Sequence, residues 1–297
     1  MIHYKSNHII ISRTNLLAFL IMKNKKKENR GMGQNWNAED YAMNSKGQLK
    51  WGEELIEKLF LEGNEAILDI GCGDGKISAK LSKLVKEGEV FAIDASENMI
   101  RFASGQFPKK LFPNLTFLKM NAIEINKLNS LKKFDIAFSN ACLHWVKNHA
   151  AVIKGVRAIL KNGGRILFQM GGRGDVGEVL SSIKVVRAMP AYRKYFENFA
   201  APYYFYGAED YEIWLDKNDF LPVRVELISK DMRHDGDESF KGWLRTAWFP
   251  YTDYLPKALR DAFLAEVIEV YKINHPADEF GNIHVKMIRL EVEAHAV

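Results

Sequence analysis

Asp69 stands two residues ahead of a glycine turn, Gly71-Cys72-Gly73-Asp74-Gly75, and Asp94 follows further along at the end of a second apolar run. Gly71 and Gly73 allow a tight turn and let backbone N–H groups approach a ligand closely. Gly75 opens the next helix, whose N-terminus favours negative charge. A dinucleotide loop of the form G-x-G-x-x-G would need glycine at position 76, which is Lys76 here. An acid at the position of Asp94 commonly takes both hydroxyls of a ribose. A carboxylate at a buried strand end, as at Asp69, needs a cation or donors. The pair suits a ligand carrying a ribose and an ammonium rather than a pyrophosphate.

Positioning these groups requires alternating strands and helices. Helix-spaced apolar residues at Tyr41, Leu49, Leu55, Leu59 and Phe60 predict two helices divided near Gly47. Strands are then expected at 66–70, 90–94, 115–120, 134–140 and 165–170. The intervening helices include one capped by Ser96 and one over 148–160 ending at Gly163 and Gly164. This βαβ rhythm predicts a doubly wound α/β fold, with ligand-binding groups outside the C-terminal strand ends. After Gly172 the pattern changes to helices and aromatic-rich breaks. Strands at 223–229 and 283–294 are expected to pair antiparallel at the sheet edge, with the helices between them as a cap. The expected organisation is one domain over 32–297, with a core at 60–172 and cap elements at 32–58, 173–206 and 231–275.

The net charge of +5 is local. Residues 1–31 hold seven Lys/Arg and one acid, leaving 35 basic against 36 acidic residues in 32–297. The folded part therefore gives no electrostatic case for nucleic acid or an anionic membrane. Residues 1–31 read as a disordered basic extension or a misassigned start, with a basic targeting segment as the competing reading. The run Leu16–Met22 is far too short to span a bilayer. Cys72 and Cys142 are the only cysteines, without a Cys/His cluster, so neither a disulfide framework nor a zinc site is expected. A cytoplasmic setting follows as the default, with oligomeric state open.

A ribose combined with an amino acid points to S-adenosylmethionine. The stretches ILDIGCGDGKIS, VFAIDASENMI, LKMNAIEI, FDIAFSNACLHWV and AILKNGGRILFQM resemble, in order and spacing, the motifs of class I S-adenosylmethionine-dependent methyltransferases. That resemblance implies a mostly parallel seven-stranded sheet with an antiparallel last strand. It also implies that Asp69, Gly71 and Gly73 hold the methionine moiety and Asp94 the ribose. Ala95 and Met99 would line the adenine, which Asn121 and the Ala122 N–H would contact, and Asn140 would border the reactive methyl.

The flanking segments, including SNACLHWV, resemble the trans-aconitate and juvenile-hormone-acid carboxyl methyltransferases, with the malonyl-carrier-protein enzymes as a close alternative. This resemblance places Gln48 and Trp145 at the acceptor. Their neutral N–H donors suit a carboxylate, which is already ionised near neutral pH and needs orientation more than a base. Tyr41 is expected to close the cofactor site, and Arg245, among the cap aromatics Trp243, Trp248, Tyr251 and Tyr254, to meet an anionic acceptor. His144 is the candidate base if the acceptor is instead a phenol or an amine. Methylation of a carrier-bound acid and cofactor binding without catalysis are the competing readings.

Overall fold

The computed structural model describes residues 36–297, so the expectations for residues 1–31 lie outside the described residues. In chain order the helices are α1 (Ala38–Asn44), α2 (Lys46–Glu57), α3 (Lys76–Leu84), α4 (Glu97–Gln106), α5 (His149–Ile159), α6 (Gly177–Ala188), α7 (Ala208–Asp216), α8 (Gly236–Ala247), α9 (Phe249–Asp253) and α10 (Lys257–Asn274). The strands are β1 (Ala66–Ile70), β2 (Glu89–Asp94), β3 (Leu115–Lys119), β4 (Phe134–Asn140), β5 (Leu160–Gly171), β6 (Phe220–His234) and β7 (Ile283–Ala296).

All of β1 is buried, which its short apolar run requires of a central strand covered on both faces. It pairs in parallel with β2 on one side and β4 on the other. The sheet order is β3-β2-β1-β4-β5-β7-β6. The chain thus builds outward in opposite directions from the β1/β4 boundary, and the crevice at the strand ends there is where such sheets bind ligands. β7 runs antiparallel between β5 and β6, placing the predicted hairpin at the sheet edge.

Local chemistry sets several boundaries. Ser96 Oγ accepts the Met99 N–H at 3.3 Å and starts α4, as expected. The break between α1 and α2 falls at Ser45, just ahead of the expected Gly47. One expectation is corrected: Gly163 and Gly164 do not cap α5. That helix ends at Ile159, and Leu160 is already extended and paired with Phe134. The glycines instead serve an irregularity in β5, where the register against β4 shifts between Phe134 and Ile136 and Gly163 takes a φ of +73°. Strand pairing with Phe134 outcompetes a helix-terminating turn there.

Apolar side chains from β1, β2, β4, β5 and β7 fill cores on both faces of the sheet. A third cluster lies beyond them, where Trp51 of α2, Val179 of α6, Trp243 of α8 and Tyr271 of α10 meet Met232 and Met287 from the far ends of β6 and β7. That cluster is the helical cap. Among the described residues no helix is long and apolar enough to cross a membrane.

Candidate active site

The glycine turn follows directly from β1. Gly71, Gly73 and Gly75 have φ values of +79°, +53° and +83°, a region costly to side chains other than glycine. Space adds a second constraint at Gly71, where a Cβ would lie 2.0 Å from Cys142 Sγ. The N–H groups of Gly71 and Cys72 both donate to the Ile93 carbonyl, at 2.8 and 3.0 Å, binding the turn to β2. At the end of β2, Asp94 accepts the Gly73 N–H at 3.1 Å and the Ser96 N–H at 2.8 Å. These bonds favour its charged form, while burial pushes its pKa up overall.

A groove of about 790 Å³ opens above these strand ends. Gly71, Gly73, Asp94, Ala95, Met99, Asn121 and Ala122 all line it, so the structure brings this part of the predicted set together. Asn121 Oδ1 is partly committed, because it caps the 3₁₀ segment Ala122–Ser130 by accepting the Ile123 N–H at 3.1 Å. Asp69 and Asn140 line a smaller adjoining recess with Gly71, Gly73, Gln48 and Tyr41. Asp69 is 2% exposed and accepts the Ser78 hydroxyl at 2.6 Å. Burial pushes its carboxyl up to about 7, against that hydrogen bond.

Tyr41 and Trp145 form the partition between the groove and a smaller cavity of about 60 Å³ under the cap. Burial holds the Tyr41 hydroxyl well above its ordinary range, so it stays protonated. Ala141, on the same partition, is held at φ +54° where β4 ends, a strained non-glycine backbone of the kind found at functional sites. Gln48 also borders this cavity, and its backbone carbonyl accepts the Asn140 side-chain amide at 2.9 Å. α2 can approach β4 so closely because position 52 is glycine, where a Cβ would stand 2.7 Å from Asn140 Nδ2.

His144 lies in the cavity wall with its Nδ1 receiving the Gly171 N–H at 3.3 Å. Burial, then Arg289 and His149, lower its pKa well below the ordinary histidine value. The imidazole is therefore neutral, and with Nδ1 accepting, its proton belongs on Nε2. Arg245, expected in the acceptor wall, is instead committed to Asp40 of α1 through Nε at 2.8 Å and Nη2 at 2.7 Å. It lines neither the groove nor the cavity.

Three contributors escaped the sequence reading. Trp36 packs edge-on against Tyr41 and Trp145, and Ser78 holds Asp69. The third is the pair Asp175 and Arg289, which lines the smaller cavity. A signal for Arg289 was present: along β7 the inward parity runs Ile283, Val285, Met287, Arg289, Glu291, so two charges fall where alternation demands apolar side chains.

A family profile described as a methyltransferase domain matches residues 61–191. An uncharacterized methyltransferase of Schizosaccharomyces pombe is 31% identical over 217 residues, covering 71% of this chain and 79% of its own. Trans-aconitate 2-methyltransferase of Rhodopseudomonas palustris is 24% identical over 270 residues, covering 87% of this chain and 98% of its own. Among solved structures, Haemonchus contortus phosphoethanolamine N-methyltransferase 2 in complex with S-adenosyl-L-methionine aligns with a TM-score of 0.53 at 17% identity. That alignment covers 87% of this chain and 56% of the other. The S. pombe match reaches well beyond the glycine turn, and with this sheet order it leaves one conclusion: the chain belongs to the class I methyltransferase family.

Proposed function

We propose that this chain transfers the methyl group of S-adenosylmethionine to a carboxylate oxygen of a small acid. The residues fit that donor. Asp69 is a buried carboxyl whose raised pKa marks it as short of a cation, which the methionine ammonium would supply. Gly71 and Gly73 keep the adjoining backbone bare, and Asp94 faces the groove at the place a ribose would take. Met99 and Ala122 give an apolar wall for the adenine, with Asn121 and the Ala122 N–H at its edge. When bound, S-adenosylmethionine supplies an electrophilic methyl group on a sulfonium sulfur. In this reading residues 60–172 hold the donor, and the cap elements at 36–58, 173–206 and 231–275 enclose the acceptor.

The choice of acceptor is carried by the state of His144. Its Nδ1 lone pair is occupied by the Gly171 N–H and its pKa is well below the ordinary histidine value, so it is a neutral N–H donor in the cavity wall rather than a base. A phenol needs a base to become nucleophilic; a carboxylate, with a pKa near 4, does not. The work left to the protein is orientation and exclusion of water. Gln48 and Trp145 supply neutral donors that aim the acid without quenching it, and Tyr41 and Trp145 close the partition. The relative that acts on trans-aconitate supports a small acid as the acceptor.

Labelled methyl transfer to a panel of carboxylic acids, phenols and amines tests this. The expected product is a base-labile methyl ester, formed with a kcat at saturating S-adenosylmethionine that stays flat from about pH 6 to 9 because the acceptor needs no general base. A base-stable product, or a kcat rising tenfold per pH unit across that range, overturns it. Cofactor binding without transfer to any acceptor would favour a binding protein.

A further inference from the structure

Arg289 is 3% exposed, yet only one of its three guanidinium nitrogens has a partner among the described residues: Nη1, which donates to Asp175 Oδ2 at 3.2 Å. Nε and Nη2 are buried without one. These two nitrogens form the side-on edge of the guanidinium, the fork that matches a carboxylate bidentately. Asp175 cannot turn to satisfy them, because its Oδ1 accepts the Ile288 N–H at 2.7 Å. Trp51 lies 5.3 Å from the guanidinium carbon and stacks it in place. The same cavity wall carries Trp248, whose Nε1 is also buried without a partner among the described residues. Buried donors left unmatched are expensive, and both residues that carry them line the same small cavity.

We propose that Arg289 receives a second, non-reacting carboxylate of the acceptor, so that this enzyme's substrate is a small di-acid. The inference rests on the carboxylate reading above. A carboxylate gripped bidentately by a guanidinium has its lone pairs engaged and is a poor nucleophile. Arg289 therefore suits the group that anchors the substrate, while the neutral donors of Gln48 and Trp145 suit the group that reacts. Asp175 offsets the arginine charge at one edge and leaves Nε and Nη2 of the other edge for a second anion. Selectivity arises because an acceptor lacking the second acid leaves the fork unpaired.

The test compares α,ω-diacids of four to six carbons with their half-methyl esters and with monoacids of the same length. Both the wild type and Arg289→Gln are assayed, with S-adenosylmethionine affinity measured by calorimetry on each. In the wild type, kcat/KM for diacids should exceed that for half-esters and monoacids by roughly 100-fold, a figure of the size expected for losing a charged bidentate contact. Arg289→Gln should abolish that preference, chiefly through KM, with cofactor affinity unchanged. Arg289→Lys, which keeps the charge and loses the fork, should recover only part. Equal wild-type rates for diacids and monoacids, or an equal loss for both in Arg289→Gln, overturns the proposal while leaving carboxylate methylation standing. A base-stable methyl product overturns the reading beneath it instead. Because the wild-type comparison needs no variant, it decides the matter even if Arg289→Gln fails to fold.

Discussion

Asp69 concentrates the conflict between stability and binding in one side chain. Its carboxyl titrates at about 7 in the folded protein because burial disfavours the charge, against the ordinary 3.8. Between those values the folded state holds a proton that the unfolded state releases. The stability this group contributes is therefore fully present below about pH 4 and is lost as pH rises through about 7. Asp69→Asn should melt no lower than the wild type at pH 8, by differential scanning fluorimetry, while S-adenosylmethionine affinity falls at least about tenfold. In the wild type, affinity should weaken as pH drops below 7, because the cation then meets a neutral acid; calorimetry from pH 5.5 to 8 would detect it. A pH-independent affinity would remove Asp69 from the ammonium site. Gly71→Ala should be harsher. The new Cβ combines a φ of +79° with a 2.0 Å approach to Cys142 Sγ, so a loss beyond about 1–2 kcal/mol is expected in urea denaturation.

Among the elements, α1 joins the two halves of the site. Its N-terminus is capped by Asn37, and its residues Tyr41 and Ala42 reach the glycine-turn side, where Lys76 Nζ donates to the Ala42 carbonyl at 2.7 Å. Asp40 meets Arg245 of α8 from the cap side. The arginine side chain is nearly half exposed, so screening by water limits the pair to about 0.2–1 kcal/mol. Its consequence is positional. Arg245→Ala and Asp40→Ala should each lower stability only slightly, weaken cofactor affinity a few-fold by loosening Tyr41, and show no further loss when combined. Additive effects in that double-mutant cycle would mean the pair is not what holds α1.

At the scale of the whole molecule, β7 ties the cap to the sheet. Glu291 on this strand is fully buried, and it accepts from Lys58 at the end of α2 at 2.5 Å, from Arg224 of β6 at 2.6 Å and from Gln169 of β5 at 3.0 Å. One carboxylate thereby links a helix and three adjacent strands. Breaking a buried pair costs about 3–5 kcal/mol, but Lys58 and Arg224 can reach water. Glu291→Gln should accordingly cost about 2–3 kcal/mol in chemical denaturation, less than a fully buried pair because its two cations are rehydrated. A change under about 0.5 kcal/mol, the scatter of ordinary surface substitutions, would show that the network is not holding the edge.

The lining of the groove at the strand ends was legible from the residues because it is local. A strand, a glycine turn and a helix N-terminus are specified within one stretch, Asp94 follows from the next strand end, and Ser96 carries its own capping chemistry. The fold class followed from the alternation of strands and helices. The lining of the cap cavity was decided by the tertiary structure. Arg245 looked suitable among its aromatic neighbours until the fold brought Asp40 to it, 205 positions away. Arg289, inconspicuous in the sequence, acquired a partner 114 positions away and kept two buried donors without one among the described residues. The state of His144 depends on the Gly171 N–H from β5. Turns and caps are set by short-range sterics and hydrogen bonds that a sequence carries openly. Which buried charge is left unpaired depends on long-range packing, which only the folded chain establishes.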